Sequence, residues 1–304
     1  MNSSVLPPKP VLSIAVVGVG AIGSTFAYHL ARAGHDVTAI ARPDSARLRQ
    51  LQRDEGIVLS SGQKARLSVA DQLDEDAAYD LVLVTMLAHQ VDAVLPALGR
   101  SKAAAFQFMF NTFDPGRLSN AVGQDRCSFG MPFVMATLGN DGTLESKANP
   151  GQKTLHGDAR WAELFSAANL PSAFEADMTL WLRCHAPMCI AMESICVTGL
   201  RRGSGATWRE AIVVARGLQS GFGIIRALGY PIYPRSKSVL ASCPVWLPAS
   251  MLWLASRVPS FRLLLSQGLL ECRALADVLA SAATEAKAPV PGLAANVLAM
   301  KPRA

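Results

Sequence analysis

Residues 11–23 read VLSIAVVGVGAIG, and this stretch decides the fold of the N-terminal half. Its first seven residues are almost continuously apolar, as in a strand that is buried on both faces of a parallel sheet. The turn Gly18-Val19-Gly20-Ala21-Ile22-Gly23 follows at once and opens a predicted helix over residues 21–33. A strand, a GxGxxG turn and a helix in this order predict a dinucleotide-binding unit.

Each glycine of the turn has a physical task. Gly18 permits a tight turn, Gly20 lets the backbone approach a pyrophosphate, and Gly23 lets helix and strand pack closely. The helix N-terminus supplies free N–H groups and the positive end of the helix dipole to the phosphates. The alternative is a glycine-rich turn that holds no ligand. The predicted cofactor residues of the turn are Gly18, Val19, Gly20, Ala21, Ile22 and Gly23.

The end of the second predicted strand, residues 36–41, indicates which nicotinamide cofactor is bound. NAD sites usually place Asp or Glu there to accept a hydrogen bond from the ribose 2′-hydroxyl. Here Asp36 lies at the beginning of the strand, and Arg42 follows its end. A guanidinium suits a 2′-phosphate, so we predict NADP(H) rather than NAD(H). The alternative is that Arg42 is an ordinary surface residue.

The rest of the first half alternates strand-like and helix-like segments. Residues 80–85 and 104–110 are predicted strands, and residues 90–98 between them form a predicted helix. This order implies right-handed crossovers and a doubly wound sheet, hence an α/β Rossmann fold. Two turn signals, Asn140-Asp141-Gly142 and Asn149-Pro150-Gly151, then predict an antiparallel extension of the sheet.

From about Phe174 to the end the pattern is helical. We place the boundary near Leu170-Pro171, which gives a Rossmann domain over residues 1–170 and an all-helical domain over residues 171–304. At 304 residues, 50% of them hydrophobic and 17% charged, the chain is long enough for two separate cores. The net charge of +6 suits anionic small ligands, and nucleic acid is the weaker interpretation because no dense Lys/Arg tract is present.

Six cysteines are scattered without a CxxC pair or a Cys/His metal spacing. We therefore predict reduced, buried thiols, no metal site and a cytoplasmic location. The N-terminus, MNSSVLPPKP, lacks the features of a signal peptide. Residues 239–255 carry no charge but contain Pro244 and Pro248 and are short for a bilayer, so we expect a buried or pocket-lining helical region there.

Several segments, in order along the chain, resemble the ketopantoate reductase (2-dehydropantoate 2-reductase) family. They are the glycine turn, Arg42, residues 83–90 (LVTMLAHQ), Asn111, residues 180–183 (LWLR), Glu271 and Val290-Pro291. The resemblance covers nearly the whole chain and is more specific in the first half. It implies a Rossmann domain, a helical C-terminal domain, NADPH-dependent reduction of an α-keto acid and a place in pantothenate biosynthesis.

Within this resemblance the cofactor residues are mostly kept. The glycine turn and Arg42 match, and Asn111 matches a family asparagine that bridges cofactor and substrate; its alternative is a strand-end cap. The family lysine after the Val-Thr strand end is Leu87 here, which removes one cationic contact near the cofactor. Glu271 matches the family glutamate that approaches cofactor and substrate; its alternative is an exposed helical carboxylate paired with an arginine.

The helix that carries catalysis in the family departs from the pattern. Arg183 stands where the resemblance places a proton-donating lysine, and Pro187 and Ala191 stand where it places two asparagines. Pro187 and Ala191 share the helical face of Arg183, so we predict a less polar pocket and a helix distorted by Pro187. Arginine stays protonated at ordinary pH; it can orient a carboxylate or polarise a carbonyl, but it is a poor proton donor.

Three proton sources stay open: water, Glu271 or a histidine. His185 points roughly 200° around the helix from Arg183, at about 100° per residue, and is better interpreted as a packed histidine. The apolar stretch from Leu240 to Leu270 either lines a pocket for a bulky hydrophobic substrate or forms a dimer surface.

The sequence thus predicts an NADPH-dependent reductase of a keto acid or other carbonyl substrate that differs from ketopantoate. The predicted catalytic residues are Asn111, Arg183 and Glu271. Two alternatives belong to other classes: a catalytically idle NADP-binding protein that senses redox state or serves as a partner subunit, and a peripheral membrane protein that uses residues 239–255. A homodimer is a further expectation.

Overall fold

The computed structural model describes residues 10–148, 151–265, 268–286 and 288–302. Within them the chain divides into two compact units. Unit 1 comprises the residues up to Phe110 together with Gly116–Met178, and unit 2 comprises Asn111–Pro115 and the residues from Thr179 onward. All six cysteines lie among the described residues, and none of them forms a disulfide.

The strands of the described residues all lie in unit 1. They are β1 (Ser13–Val17), β2 (Asp36–Ile40), β3 (Gly56–Val58), β4 (Lys64–Arg66), β5 (Ser68–Ala70), β6 (Leu81–Val84), β7 (Phe106–Met109), β8 (Cys127–Met131), β9 (Val134–Leu138), β10 (Leu144–Ala148), β11 (Thr154–His156) and β12 (Ser172–Phe174). Eight of them form one sheet in the order β5-β2-β1-β6-β7-β8-β11-β12.

The sheet is parallel from β5 to β8. β11 then runs antiparallel to β8, and β12 is parallel to β11. The chain order reverses direction at β1, which pairs with β2 on one side and β6 on the other. This central place explains the apolar run of β1, since Ile14, Ala15 and Val16 are completely buried. The predicted doubly wound α/β sheet is confirmed.

The helices are α1 (Ala21–Arg32), α2 (Ala46–Arg53), α3 (Leu95–Arg100), α4 (Pro115–Val122), α5 (Ala159–Ala167), α6 (Met178–Arg202), α7 (Trp208–Ala227), α8 (Arg235–Ser242), α9 (Trp246–Ala255), α10 (Pro259–Leu265), α11 (Leu269–Ser281) and α12 (Pro291–Met300). The helix predicted over residues 90–98 is instead a 3₁₀ segment, Ala88–Ala93, followed by α3. Pro96 lies in the first turn of α3, where its missing N–H costs no helical hydrogen bond.

The predicted antiparallel extension of the main sheet is only partly right. Asn140-Asp141-Gly142 does form a turn, and it connects β9 to β10, but these strands pair with each other in a separate two-stranded sheet. That hairpin lies against α1. The antiparallel strand of the main sheet is β11. The second turn signal falls at Asn149-Pro150, outside the described residues.

Unit 2 is helical throughout its described residues, as predicted. Its longest helix, α6, continues without a break through Pro187, so the predicted distortion does not end the helix. A Cβ on Gly221 of α7 would lie 2.9 Å from the Pro187 ring, so this glycine lets the ring pack against α7. α7 begins with a capping box in which Thr207 and Glu210 exchange hydrogen bonds.

The uncharged region 239–255 forms the end of α8 and all of α9. The expectation that it is buried is wrong for one face. Ala249 and Leu252 are buried in unit 2, whereas Trp246, Met251 and Leu254 are exposed. No single helix of the described residues is long and apolar enough to cross a membrane; α8 and α9 reach that length and apolarity only as a pair, which is bent by 111°.

Candidate functional site

The glycine turn of unit 1 is held closed by Thr85, which follows β6. The Thr85 hydroxyl donates to the carbonyl oxygen of Gly18 at 2.7 Å. Gly18 has a φ of +93°, a conformation that favours glycine. A Cβ on Gly23 would lie 2.3 Å from Oγ1 of Thr85 and 2.4 Å from the Gly18 carbonyl oxygen, so only glycine fits there. The structure thus explains why both positions need glycine: Gly18 adopts a positive φ, and Gly23 has no room for a side chain.

Gly20 differs from its neighbours because the space beside it is open. A Cβ built on Gly20 meets no atom within 4 Å, and its φ of −68° is one that any residue adopts. Gly20 is also the N-cap of α1, with no side chain accepting from the first-turn amides and no acidic residue in that turn. Uncapped amides, the helix dipole and open space are what an anionic group needs at a helix N-terminus.

Arg47, on α2, supports the turn, and the sequence analysis missed it. Its guanidinium donates to the carbonyl oxygen of Val19, to the Ser24 hydroxyl and to the carbonyl oxygen of Gly142. Burial lowers the pKa of Arg47 to about 10, which leaves it charged at neutral pH. It therefore places a fixed positive charge beside the N-terminus of α1.

Arg42 lies directly after β2 and is exposed. Among the described residues it has no ion pair, and its side chain has no hydrogen bond. Asp36, at the other end of β2, is separated from it by the whole strand. A free guanidinium at the carboxyl end of β2 is the arrangement that recognises a 2′-phosphate. Leu87, 39% exposed beyond β6, offers no charge of its own.

Arg183 of unit 2 is held by two aromatic rings. Its guanidinium lies 4.2 Å from the ring centroid of Tyr230 and 5.1 Å from that of Phe113. Stacking of this kind fixes the plane of the guanidinium and leaves its N–H edges free. No carboxylate pairs with Arg183 among the described residues. The side chain is therefore ready to bind a carboxylate or a carbonyl oxygen.

Asn111 is buried in unit 2 and uses only half of its amide. Its Nδ2 donates to Sγ of Cys189 at 2.7 Å, while its Oδ1 is buried without a hydrogen-bond partner among the described residues. Burial raises the pKa of Cys189, so the sulfur is a thiol. An unpaired buried acceptor is unfavourable unless a ligand supplies the donor. The strand-end cap remains the alternative interpretation of Asn111.

Two carboxyl groups of unit 2 hold their protons unusually tightly. Burial raises the pKa of Glu271, on α11, to about 7. Burial and the nearby charge of Glu271 raise the pKa of Glu193, on α6, to about 8. The family resemblance indicated Glu271, but nothing in the sequence distinguished Glu193, which lies in the middle of α6. Both groups can hold a proton near neutral pH.

The remaining residues of α6 that the sequence analysis named are packed. Pro187 and Ala191 are buried in the core of unit 2. His185 stacks on Trp181 with 4.4 Å between ring centroids. Burial and the charge of Lys237 lower the pKa of His185 to about 3, so it is neutral and cannot serve as the acid. Lys237, buried with its Nζ donating to the Trp181 carbonyl, is a further residue that the pattern did not reveal.

The fold defines a class: a protein with a Rossmann-type sheet and a glycine turn before its first helix, continued by a helical unit. Residues 14–158 match the family model described as ketopantoate reductase PanE/ApbA. A 2-dehydropantoate 2-reductase of Vibrio cholerae serotype O1 is 38% identical over 172 residues, which cover 55% of this chain and 52% of that protein. Both matches are therefore to the ketopantoate reductase family, and the family model matches the N-terminal half of this chain. The match spans about half the length of that relative.

Solved structures are similar over the whole fold. A PanE/ApbA family ketopantoate reductase from Ralstonia eutropha JMP134 has a TM-score of 0.70 at 18% identity, covering 95% of this chain and 98% of that chain. A D-mandelate dehydrogenase in a ternary structure with NADH and anilino(oxo)acetate has a TM-score of 0.68 at 14% identity, covering 94% and 96%. At these identities the similarity shows the fold alone.

Proposed function

We propose that this protein is an NADPH-dependent reductase of a carbonyl substrate. Keto acids are the first substrate class to test. The observation that carries the proposal is the N-terminus of α1: open space at Gly20, uncapped amides, and Arg47 fixed beside the turn. These features fit a pyrophosphate, and the free Arg42 fits a 2′-phosphate. We assign cofactor binding to unit 1 and substrate binding to unit 2, as the predicted domains 1–170 and 171–304 imply.

Arg183 is proposed to bind the carboxylate of the substrate. The two rings that flank its guanidinium restrict it to one plane, which suits a bidentate contact. A protonated arginine also polarises a carbonyl as negative charge develops on its oxygen. Asn111 adds an acceptor, Oδ1, for an N–H or O–H of a bound ligand.

Glu271 is proposed to supply the proton. Bound NADPH supplies the hydride that reduces the carbonyl carbon, so one proton must reach the carbonyl oxygen to give the alcohol. Arg183 cannot release a proton at ordinary pH, and neutral His185 keeps its single N–H proton in the same range. Glu271 has a pKa of about 7, which suits a general acid in neutral solution. Glu193 interacts with Glu271 and holds its own proton at neutral pH. Only one negative charge therefore forms when Glu271 releases its proton.

The substrate is proposed to be less polar than ketopantoate. The support is the family resemblance, which places two asparagines where this chain has Pro187 and Ala191; both are packed in the core of unit 2 and add no polar atom to a substrate site. D-mandelate dehydrogenase, whose ligand couples an oxo acid to an aromatic group, shares this fold. Aromatic oxo acids therefore belong in the test beside ketopantoate. A cytoplasmic location, a homodimer and a place in pantothenate biosynthesis stay predictions.

The test is a steady-state assay with NADPH and a panel of ketopantoate, aromatic oxo acids and hydrophobic ketones. We expect turnover of at least one oxo acid. Arg183→Ala should lower kcat/KM for it by about a hundredfold while NADPH affinity is unchanged, because a charge-assisted contact to the substrate is lost. Arg226→Ala, at an exposed arginine on α7, is the matched control. Tight NADPH binding without turnover of any compound would instead favour the catalytically idle NADP-binding protein.

A further inference from the structure

Unit 2 carries an exposed apolar face on consecutive helices. Its members are Trp246, Leu247, Met251 and Leu254 of α9, Val258 after it, Phe261, Leu263 and Leu264 of α10, and Leu270 of α11. We call these residues the apolar face. Leu254, Leu263 and Leu270 are 58%, 61% and 68% exposed. Large side chains at this exposure and in one run are unlike the scattered apolar residues of an ordinary protein surface.

The exposed apolar residues of α9 follow a regular helical pattern. Leu247, Met251, Leu254 and Val258 follow one another at helical spacing and are all exposed. The opposite side, with Ala249 and Leu252, is completely buried in unit 2. α9 is therefore apolar on both sides. A helix of this kind needs an apolar environment on its outer side as well.

The charge of the chain is concentrated around the same segment. Residues 211–270 contain six Lys and Arg and no Asp or Glu, so their charge equals the formal net charge of +6 of the whole chain. A surface helix normally carries charges of both signs on its outer side. α9 itself carries no charged residue, and Lys237 of this segment is buried, so the cations near α9 in sequence are Arg257 and Arg262.

Arginines border the C-terminal end of α9. Arg257 lies 3.5 Å from the Trp253 ring and donates to the carbonyl oxygen of Ala206. Arg262 donates to the carbonyl oxygen of Gly203. These contacts bring the connection between α6 and α7 next to the C-terminal end of α9. Neither Arg257 nor Arg262 has an acidic partner among the described residues.

We propose that the apolar face docks on the surface of a membrane that contains anionic lipid. The apolar side chains would enter the boundary between headgroups and acyl chains while the arginines contact the headgroup phosphates. The charge pattern disfavours a second copy on this face, because two-fold pairing would bring the arginines of both copies together. The buried side of α9 makes the attachment interfacial rather than spanning. This inference does not depend on the reductase activity.

The experiment is sedimentation of the full chain with vesicles of phosphatidylcholine alone, or of phosphatidylcholine mixed with an equal amount of phosphatidylglycerol. We expect binding to the mixed vesicles, weaker binding to phosphatidylcholine, and a decline with added salt. The affinity of the double variant Leu254→Ser/Phe261→Ser should fall by at least about tenfold, because two large apolar contacts are lost. Val278→Ser/Leu298→Ser, at exposed apolar residues of α11 and α12, should bind like the native chain.

Thermal melting of both double variants shows whether they are folded, and sedimentation without vesicles gives the oligomeric state. The proposal is overturned if native protein binds neither vesicle, or if Leu254→Ser/Phe261→Ser binds like native protein. It is equally overturned if the native chain is a dimer that this variant alone breaks, since a second copy would then cover the face. A face variant that stays folded and loses vesicle binding supports the proposal.

Discussion

Arg47 donates a hydrogen bond from Nε to the carbonyl oxygen of Val19, at 3.0 Å, inside the glycine turn. The same guanidinium donates to the Ser24 hydroxyl at 2.6 Å and to the Gly142 carbonyl oxygen at 3.0 Å. One half-buried cation therefore joins the turn, the first turn of α1 and the connection between β9 and β10. Its charge also faces the region where the cofactor phosphates are proposed to bind.

Replacing Arg47 with Met should weaken both the fold and the cofactor site. Met fills similar space but donates no hydrogen bond. The Gly142 carbonyl would lose its Arg47 donor and the Val19 carbonyl would keep only the Ser24 hydroxyl, so we expect a loss of about 1–3 kcal/mol in the free energy of unfolding. NADPH affinity should fall as well, because the turn is less fixed. Chemical denaturation and a fluorescence titration with NADPH measure the two effects. Arg49→Met, on the same helix at an exposed position, should change neither.

Gly20 and Gly23 should respond differently to Ala. Gly20→Ala should keep the melting temperature, since the added Cβ meets nothing, but should weaken dinucleotide binding because the methyl group occupies space proposed for the pyrophosphate. Gly23→Ala should lower the melting temperature, because its Cβ would overlap Thr85 and the Gly18 carbonyl. Calorimetric melting with and without NADPH distinguishes them. Unchanged NADPH affinity in Gly20→Ala would argue against phosphate binding at this turn.

Arg42 should determine the choice between NADPH and NADH. We expect Arg42→Ala to weaken NADPH binding by about tenfold to a hundredfold and to leave NADH binding nearly unchanged, because only NADPH carries the 2′-phosphate. Arg32→Ala is the matched control, since Arg32 is exposed at the opposite end of α1. Titrations of both cofactors give the ratio of dissociation constants. An equal loss for both cofactors would show that Arg42 does not recognise the 2′-phosphate.

The sequence predicts those parts of the fold and of the cofactor site whose contacting residues lie close together along the chain. The strand, the glycine turn and α1 are adjacent, so their pattern is readable without a structure. Arg47 contacts Val19 across 28 residues, and nothing in its local sequence distinguishes it from Arg49. The same limit explains the hairpin β9–β10, whose turn was predictable but whose separation from the main sheet depends on packing against α1.

Burial was the least predictable property of the site. Glu193 looks in sequence like any helical carboxylate, and only the packing of unit 2 raises its pKa. Conversely, residues 239–255 look like a buried segment because they are apolar, yet the face that contains Met251 and Leu254 is exposed. Apolar composition predicts which residues avoid water. It does not predict whether they are covered by this chain itself or by another molecule or a membrane.

Glu193 and Glu271 predict a pH dependence of stability whose sign can be worked out. Their pKa values, about 8 and about 7, lie above the ordinary value of 4.5 that applies to the unfolded chain. The folded protein therefore keeps two protons that the unfolded chain releases above pH 4.5. The contribution to stability is fully present below that pH and is lost as the pH rises to about 8, at up to about 1.4 kcal/mol per pH unit for each group.

Replacing Glu193 with Gln should reduce this loss, because an uncharged amide has no proton to release. The free energy of unfolding of Glu193→Gln should thus fall less between pH 5 and pH 8 than that of the native chain, as denaturant titrations at several pH values would show. Glu285→Gln, at an exposed carboxylate, should follow the native curve. For turnover, loss of the Glu271 proton should lower kcat as the pH rises above about 7, and Glu271→Gln should be slow without this decline. A native kcat that stays constant from pH 6 to pH 9 would exclude Glu271 as the proton donor.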